Sequence, residues 1–241
     1  MIIEELYGDL PLYDTVSVTQ FEKDEAAISQ KDTIVEHILK ICVQNVTDRE
    51  LRCTPRHLTE LVLGYLLSEG IVNHPQEIKY VKIEENGRKA GVVLKDHIPA
   101  RKTEVVPPFF CKREWIYTLA DAFLQDMPLH RQTSATHSSF LMADGEILFR
   151  CEDIGRHNAL DKAIGYGIRN GLDLKNVVLF TSGRIPTDMV MKTVRAGIPV
   201  LAGRSVPTKE AVELARRYRL ILIGKIKERG MVCYTGQNSF T

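Results

Sequence analysis

The 241-residue chain predicts an α/β fold with a largely parallel sheet sandwiched by helices, and three observations carry that reading. From residue 112 onward, helical and strand patterns alternate in the order α-β-β-α-β-α-β-α-β. Residues 176–181 form a short, wholly apolar run of the sort covered on both faces by helices. Hydrophobic residues make up 44% and charged residues 26%, proportions that exclude a disordered chain or a disulfide-dense mini-protein.

Before residue 112 the pattern is α+β. Residues 34–44 alternate as a strand holding Cys42. Thr54 and Pro55 then suit a helix start, Leu58, Leu61, Val62, Tyr65 and Leu66 form an apolar stripe, and Gly70 supplies a left-handed stop. Residues 78–94 read as a hairpin turning on Glu85-Asn86-Gly87. Residues 96–110, with Pro99, Pro107 and Pro108, read as a linker or mobile loop. Helices are expected over about 112–126, 156–170, 186–196 and from Pro207 to about 217. A hairpin over 138–151 turns on Ala143-Asp144-Gly145, and strands follow at 198–202 and 220–226.

Several function classes are disfavoured. The net charge is +1, well short of a global nucleic-acid binder. The opening Met1-Ile-Ile-Glu-Glu lacks a basic region followed by an apolar run, and no stretch reaches the roughly 18 apolar residues of a membrane span, so a cytoplasmic protein without membrane contact is expected. The chain lacks the dinucleotide, P-loop, serine-hydrolase and zinc-deaminase motifs. Five cysteines, at 42, 53, 111, 151 and 233, include no Cys-x-x-Cys, so neither a zinc site nor a disulfide framework is expected.

Ligands of an open α/β sheet sit beyond the carboxyl ends of its strands. Two turns there are unusual: Cys151-Glu-Asp-Ile-Gly-Arg-His-Asn158 and Thr181-Ser-Gly-Arg-Ile-Pro186. Singly, each has a plain explanation, Asp153 as a helix cap and Gly183 as the need of a tight loop. Together at one edge they point to an anion or nucleotide site. Residues 183–230 carry eleven Lys/Arg against four acids, which suits a phosphate-bearing ligand, although Arg216, Arg217 and Arg219 also fit a solvated helix face. His137 and His157 are the histidines nearest such a site. Cys111, ahead of a helix and followed by Lys112 and Arg113, is placed for a lowered thiol pKa and nucleophilic reactivity. The opposing reading is that Phe109 and Phe110 draw it into the core. Burial is expected for the other four cysteines.

The run Glu152-Asp-Ile-Gly-Arg-His-Asn-Ala-Leu-Asp-Lys162, with Ser182-Gly-Arg184 and Val206-Pro-Thr-Lys-Glu-Ala-Val212, resembles the formate dehydrogenase accessory sulfurtransferases, the FdhD family. Cys53-Thr-Pro and Leu63-Gly-Tyr-Leu-Leu-Ser-Glu-Gly-Ile71 resemble that family's N-terminal domain. The resemblance implies a smaller α+β N-terminal domain with linker over 1–108 and a cytidine-deaminase-like, three-layer C-terminal domain over 109–241. It implies a homodimeric sulfur carrier required for formate dehydrogenase activity, taking persulfide sulfur from a cysteine desulfurase. The sulfur would pass to a bis-molybdopterin guanine dinucleotide cofactor, bound as cargo before it enters the formate dehydrogenase apoprotein. It further implies Cys111 as the persulfide carrier and Lys225, Ile226, Lys227, Glu228, Arg229 and Gly230, with Arg184 and His157, as cofactor-binding residues. The family carries Cys-x-x-Cys where this chain has Cys111 alone. A cofactor-binding chaperone lacking the persulfide relay is therefore the alternative, and an enzyme acting on a free nucleotide the third.

Overall fold

The computed structural model describes residues 1–23, 25–95, 103–125, 127–227 and 230–240. The N-terminal half contains strands β1 (Ile2–Glu5), β2 (Tyr13–Glu22), β3 (Glu25–Ile34), β4 (His37–Val43) and β5 (Thr47–Cys53), helix α1 (Leu58–Ser68), and strands β6 (Ile78–Glu84) and β7 (Lys89–Leu94). Helices α2 (Arg113–Gln125) and α3 (Pro128–Thr133) lead to β8 (His137–Ala143), β9 (Glu146–Asp153), α4 (Arg156–Arg169) and β10 (Val177–Thr181). The chain continues through α5 (Thr187–Arg195), β11 (Val200–Gly203), α6 (Lys209–Tyr218), β12 (Ile221–Lys227) and β13 (Gly230–Thr235).

The strands form a five-stranded sheet, β1-β6-β7-β4-β5, a six-stranded sheet, β13-β12-β11-β10-β8-β9, and a separate β2-β3 ribbon. The six-stranded sheet corrects the largely parallel reading: only β10–β11 and β11–β12 are parallel. The pairings β8–β9 and β12–β13 are antiparallel, as their two-residue connections require, and β8–β10 is antiparallel as well. The β8–β9 turn has Asp144 and Gly145 at positive φ (50° and 85°), the backbone that its Asp-Gly pair favours.

One core runs through both sheets. Leu39, Ile41, Ile83 and Val92 of the first meet Leu141, Leu179, Leu201 and Leu222 of the second through Leu61 and Leu66 of α1 and Leu160 and Ile164 of α4. The two helices touch backbone to backbone. A Cβ on Gly64 would overlap the Asp161 carbonyl, and one on Gly165 would overlap that of Glu60. The opposite face of the six-stranded sheet is covered by α2, with Ile116 and Leu119 packed on Phe140, Phe180 and Ile223.

Helix α1 ends as expected, with Gly70 at φ 77° and the bonds Gly70 N–H to Leu67 O and Ile71 N–H to Leu66 O. Its start differs. The residue before Leu58 is His57, in left-handed conformation, and Thr54 caps nothing there. Thr54 instead turns toward α4. Strands β1, β2, β3 and β5 and helix α3 were not foreseen. Of the expected linker, residues 96–102 lie outside the described residues, and the rest is no free loop, since Val106 is buried and its N–H bonds Tyr218 O at 3.0 Å.

Candidate functional site

The carboxyl ends of β10, β11 and β12 lie on one edge, which the registers Thr181↔Ser139 and His137↔Asp153 extend to the start of β8 and the end of β9. Three loops emerge there and carry basic side chains: Arg156 and His157 at the start of α4, Arg184 after β10, and Arg204 after β11. His137 stands among them. Burial holds its pKa below the usual imidazole range, and Arg156, His130, His157 and Arg184 push it further in the same direction. Two arginines and two histidines thus lie around one histidine.

Arg156 lies over Gly183. A Cβ there would sit 3.0 Å from the Arg156 Cβ and 3.1 Å from its Cδ, so the glycine makes room for the arginine. The Arg156 Nε is buried and has no hydrogen-bond partner among the described residues. The first turn of α4 begins at Gly155, which supplies no side-chain cap. An unsatisfied guanidinium N–H at a free helix N-terminus is a donor set built for an anion. His157 Nε2 is 2.9 Å from Asp188 Oδ2 of α5, and Arg184 is exposed.

Beneath this surface the edge is anchored by Asp153, which is fully buried. Its Oδ1 accepts from Gly155 N–H and Asn158 Nδ2, each at 2.9 Å. Its Oδ2 accepts from Lys162 Nζ at 2.6 Å, Thr54 N–H at 3.0 Å and the Thr54 hydroxyl at 3.2 Å. Asp153 is therefore not a helix cap but the hub of a buried ion pair that ties the 153–156 turn to residue 54. A second buried pair, Asp161 with Lys192 at 2.8 Å, joins α4 to α5 and takes in Ser68 of α1. Glu152 accepts from the Leu129 and His130 N–H groups and so caps α3. Most of the Glu152–Lys162 run is therefore scaffold, and Arg156 and His157 are the side chains it turns toward the site.

The predicted residues after β12 are only partly gathered here. Lys225 and Lys227 are exposed at the same edge, Ile226 is buried, and Gly230 opens β13 half-buried; Glu228 and Arg229 lie outside the described residues. Lys225 sits at φ 53° with its N–H bonded to Ser205 O at 2.8 Å, and Ile226 O accepts from Arg204 Nη1 at 2.7 Å. Arg204 enters the sequence reading only as one of the eleven Lys/Arg of the 183–230 run, although its place directly after an apolar strand is the signal that singles out Arg184.

Cys111 is elsewhere. Trp115, in the first turn of α2, packs against Gly145 at the far edge of the sheet, whereas Arg204 lies over Phe123 in the last turns. From the start of α2 at Arg113, just after Cys111, to Phe123 the helix rises roughly 15 Å. The thiol is fully buried, and burial followed by the nearby Cys233 pushes it up to about 12. The expectation of a lowered pKa on a mobile loop is thus corrected. Cys111 N–H bonds Ser239 O at 2.8 Å and the residue bridges Phe240, so the C-terminal segment covers it. Cys53 and Cys151 are buried as expected, whereas Cys42 and Cys233 are only partly so. No helix among the described residues is long and apolar enough to cross a membrane.

The chain matches the FdhD/NarQ family model over residues 34–106 and 94–241. It is 30% identical over 260 residues to the sulfur carrier protein FdhD of Listeria monocytogenes serotype 4b, covering 95% of this chain and 100% of that protein. It is 30% identical over 239 residues to the sulfur carrier protein FdhD of Saccharolobus solfataricus, covering 88% and 93%. A crystal structure described as a formate dehydrogenase accessory protein from Desulfotalea psychrophila superposes with a TM-score of 0.85 at 22% identity, over 96% of this chain and 100% of that one. With the family model spanning nearly all of its length, the chain belongs to the FdhD/NarQ family.

Proposed function

We propose that this chain is a sulfur carrier required for formate dehydrogenase activity, and that it docks a phosphate-bearing cofactor on the cationic edge of the six-stranded sheet. The observation that carries the docking half is the convergence of Arg156, His157 and Arg184 on His137, with a buried Arg156 N–H left unpaired. The relatives' names support the sulfur-carrying half. The cargo is a bis-molybdopterin guanine dinucleotide. Its phosphates would meet Arg156, Arg184 and the α4 N-terminus, and Arg204, Lys225 and Lys227 extend the edge by about two strand spacings, near 10 Å, toward a second phosphate.

In this reading the Cys111 thiolate attacks the outer sulfur of a cysteine desulfurase persulfide. The donor's S–S bond breaks, the donor leaves as a thiolate, and Cys111 holds the sulfane sulfur. Release of the Ser239–Phe240 contacts uncovers the thiol for that step. The chain acts as a homodimer, and residues 109–241 form a deaminase-like domain whose helix starts carry Arg156, His157 and Arg184 in place of metal ligands. One observation favours a second reading, a cofactor-binding chaperone without the relay: Cys111 is sealed from solvent at the edge away from the cations. Intact-mass measurement after incubation with desulfurase and cysteine separates the two. A gain of about 32 Da that vanishes in Cys111→Ala supports the carrier. No gain, with guanosine diphosphate still bound, leaves the chaperone.

A further inference from the structure

The loop that leads into α2 has one cysteine, but the fold brings a second to it from the other end of the sequence. Cys233 lies on β13 directly opposite Ile223 of β12, and residues opposite one another on paired strands share a face. Ile223 belongs to the cluster under α2 that contains Cys111. Met231, two residues before Cys233 and so on the same side of β13, packs against that cluster as well. The chain then turns at Gly236 and returns, so that Ser239 O accepts the Cys111 N–H and Phe240 bridges Cys111. Residues 233–240 thus fold around Cys111, with the two thiols on one face of one sheet. Cys233 is the more open of the two, half-buried where Cys111 is closed.

We propose that Cys111 and Cys233 form a dithiol–disulfide pair, in which Cys233 resolves a persulfide held on Cys111. The resolving role rests on the sulfur-carrier reading above; the capacity to form the disulfide does not. The Cys233 thiolate attacks the inner sulfur of Cys111–S–SH. A Cys111–Cys233 bond forms, the persulfide S–S bond breaks with its electron pair on the outer sulfur, and that sulfur leaves as hydrosulfide. The sulfane sulfur is reduced and the two cysteine sulfurs are oxidised. An external dithiol returns the pair to its starting state by exchange, becoming a disulfide itself.

Two measurements on the full-length protein test this. In the first, the protein is equilibrated with diamide, which takes up the two thiol hydrogens; remaining thiols are alkylated and the digest is mapped without reduction. The expected result is a single cross-linked peptide pair holding Cys111 and Cys233, with an intact mass lower by about 2 Da, absent from Cys111→Ser and from both Cys233→Ser and Cys233→Ala. Pairing of either cysteine with Cys42, Cys53 or Cys151, or complete alkylation of both, overturns the proposal. In the second, the protein is loaded with glutathione persulfide and excess reagent is removed. Wild type is expected to lose its added sulfur as sulfide while the cross-link appears, and the two Cys233 variants to keep it at least tenfold longer. Equal loss in the variants removes the resolving role even if the cross-link forms. If no sulfur ever loads on Cys111, the resolving role and the sulfur-carrier reading both fall, and the diamide result alone decides whether the pair exists.

Discussion

The two ends of the six-stranded sheet are stabilised in opposite ways. At the edge where β10, β11 and β12 end, the outermost layer is cationic and solvated, and the layer beneath is a set of fully buried ion pairs, Asp153–Lys162 and Asp161–Lys192. At the other end, Cys111, Trp115 and Phe240 are packed by apolar contact, and the polar atoms involved are mainly backbone. Surface arginines that repel one another need a rigid base, and buried carboxylates with several donors each provide it. A thiol kept from reacting needs only to be dry. The cationic edge therefore carries the costly electrostatics, and the end that closes over Cys111 does not.

The largest test of this contrast is Asp153→Ala, which removes the counter-charge of Lys162 at zero exposure and leaves its Nζ only the Thr54 carbonyl and hydroxyl. Urea unfolding should show a loss of about 3–5 kcal/mol, and Asp153→Ala with Lys162→Met should recover part of it. An equal loss in both would mean that the pair is not the base of the edge. Next, a chain ending at Gly236 lacks the Ser239 and Phe240 contacts. Iodoacetamide should then label Cys111 at least tenfold faster than in the full chain, where burial keeps the thiol near 12. Unchanged labelling would show that something else seals it. Arg184→Ala should weaken guanosine diphosphate binding by roughly tenfold in calorimetry. Because Arg184 is exposed, its unfolding free energy should stay within about 0.5 kcal/mol of wild type.

A pH-dependent test concerns His57, which stacks edge-on against Phe149 beside the Asp153 hub. Burial, and then Lys162, Arg56 and Arg169, lower its pKa to about 4 from 6.5. Between those values the unfolded chain binds the proton and the folded chain does not, so stability falls as pH drops from 6.5 to about 4 and levels off below. His57→Gln should flatten that part of the stability curve; an unchanged slope would assign it to other groups.

Strands β10 and β11 and the start of β12 were legible as closed apolar runs, and α2, α4, α5 and α6 as amphipathic helices, signals that depend on local periodicity alone. Parallel and antiparallel pairing were not, since both produce apolar strands when helices cover each face. The β2-β3 ribbon went unseen although Thr15-Val16-Ser17-Val18-Thr19 alternates as a strand should, because its flanks lack a strong turn dipeptide. For the site, Arg184 and His157 could be found from their place after strands or at helix starts. The pairing of Asp161 with Lys192, thirty-one residues on, leaves no mark in either neighbourhood. Cys111 was misjudged for a related reason. The charges of Lys112 and Arg113 are adjacent in sequence, but what closes over the thiol arrives from residues 239 and 240.

The crossing of α1 and α4 at Gly64 and Gly165 has a mechanical consequence. Each glycine lies four residues after the carbonyl that the other helix presses against, so the contact is reciprocal and fits only one axial alignment. A slide of one turn, about 5.4 Å, would drive a larger side chain into the opposing backbone. The Ser68–Asp161–Lys192 bonds close the same crossing from the side. Helix α4 starts with Arg156 and His157, and α1 packs on the five-stranded sheet. The two helices therefore act as a fixed spacer, which sets the axial position of the Arg156 and His157 turn relative to the first sheet.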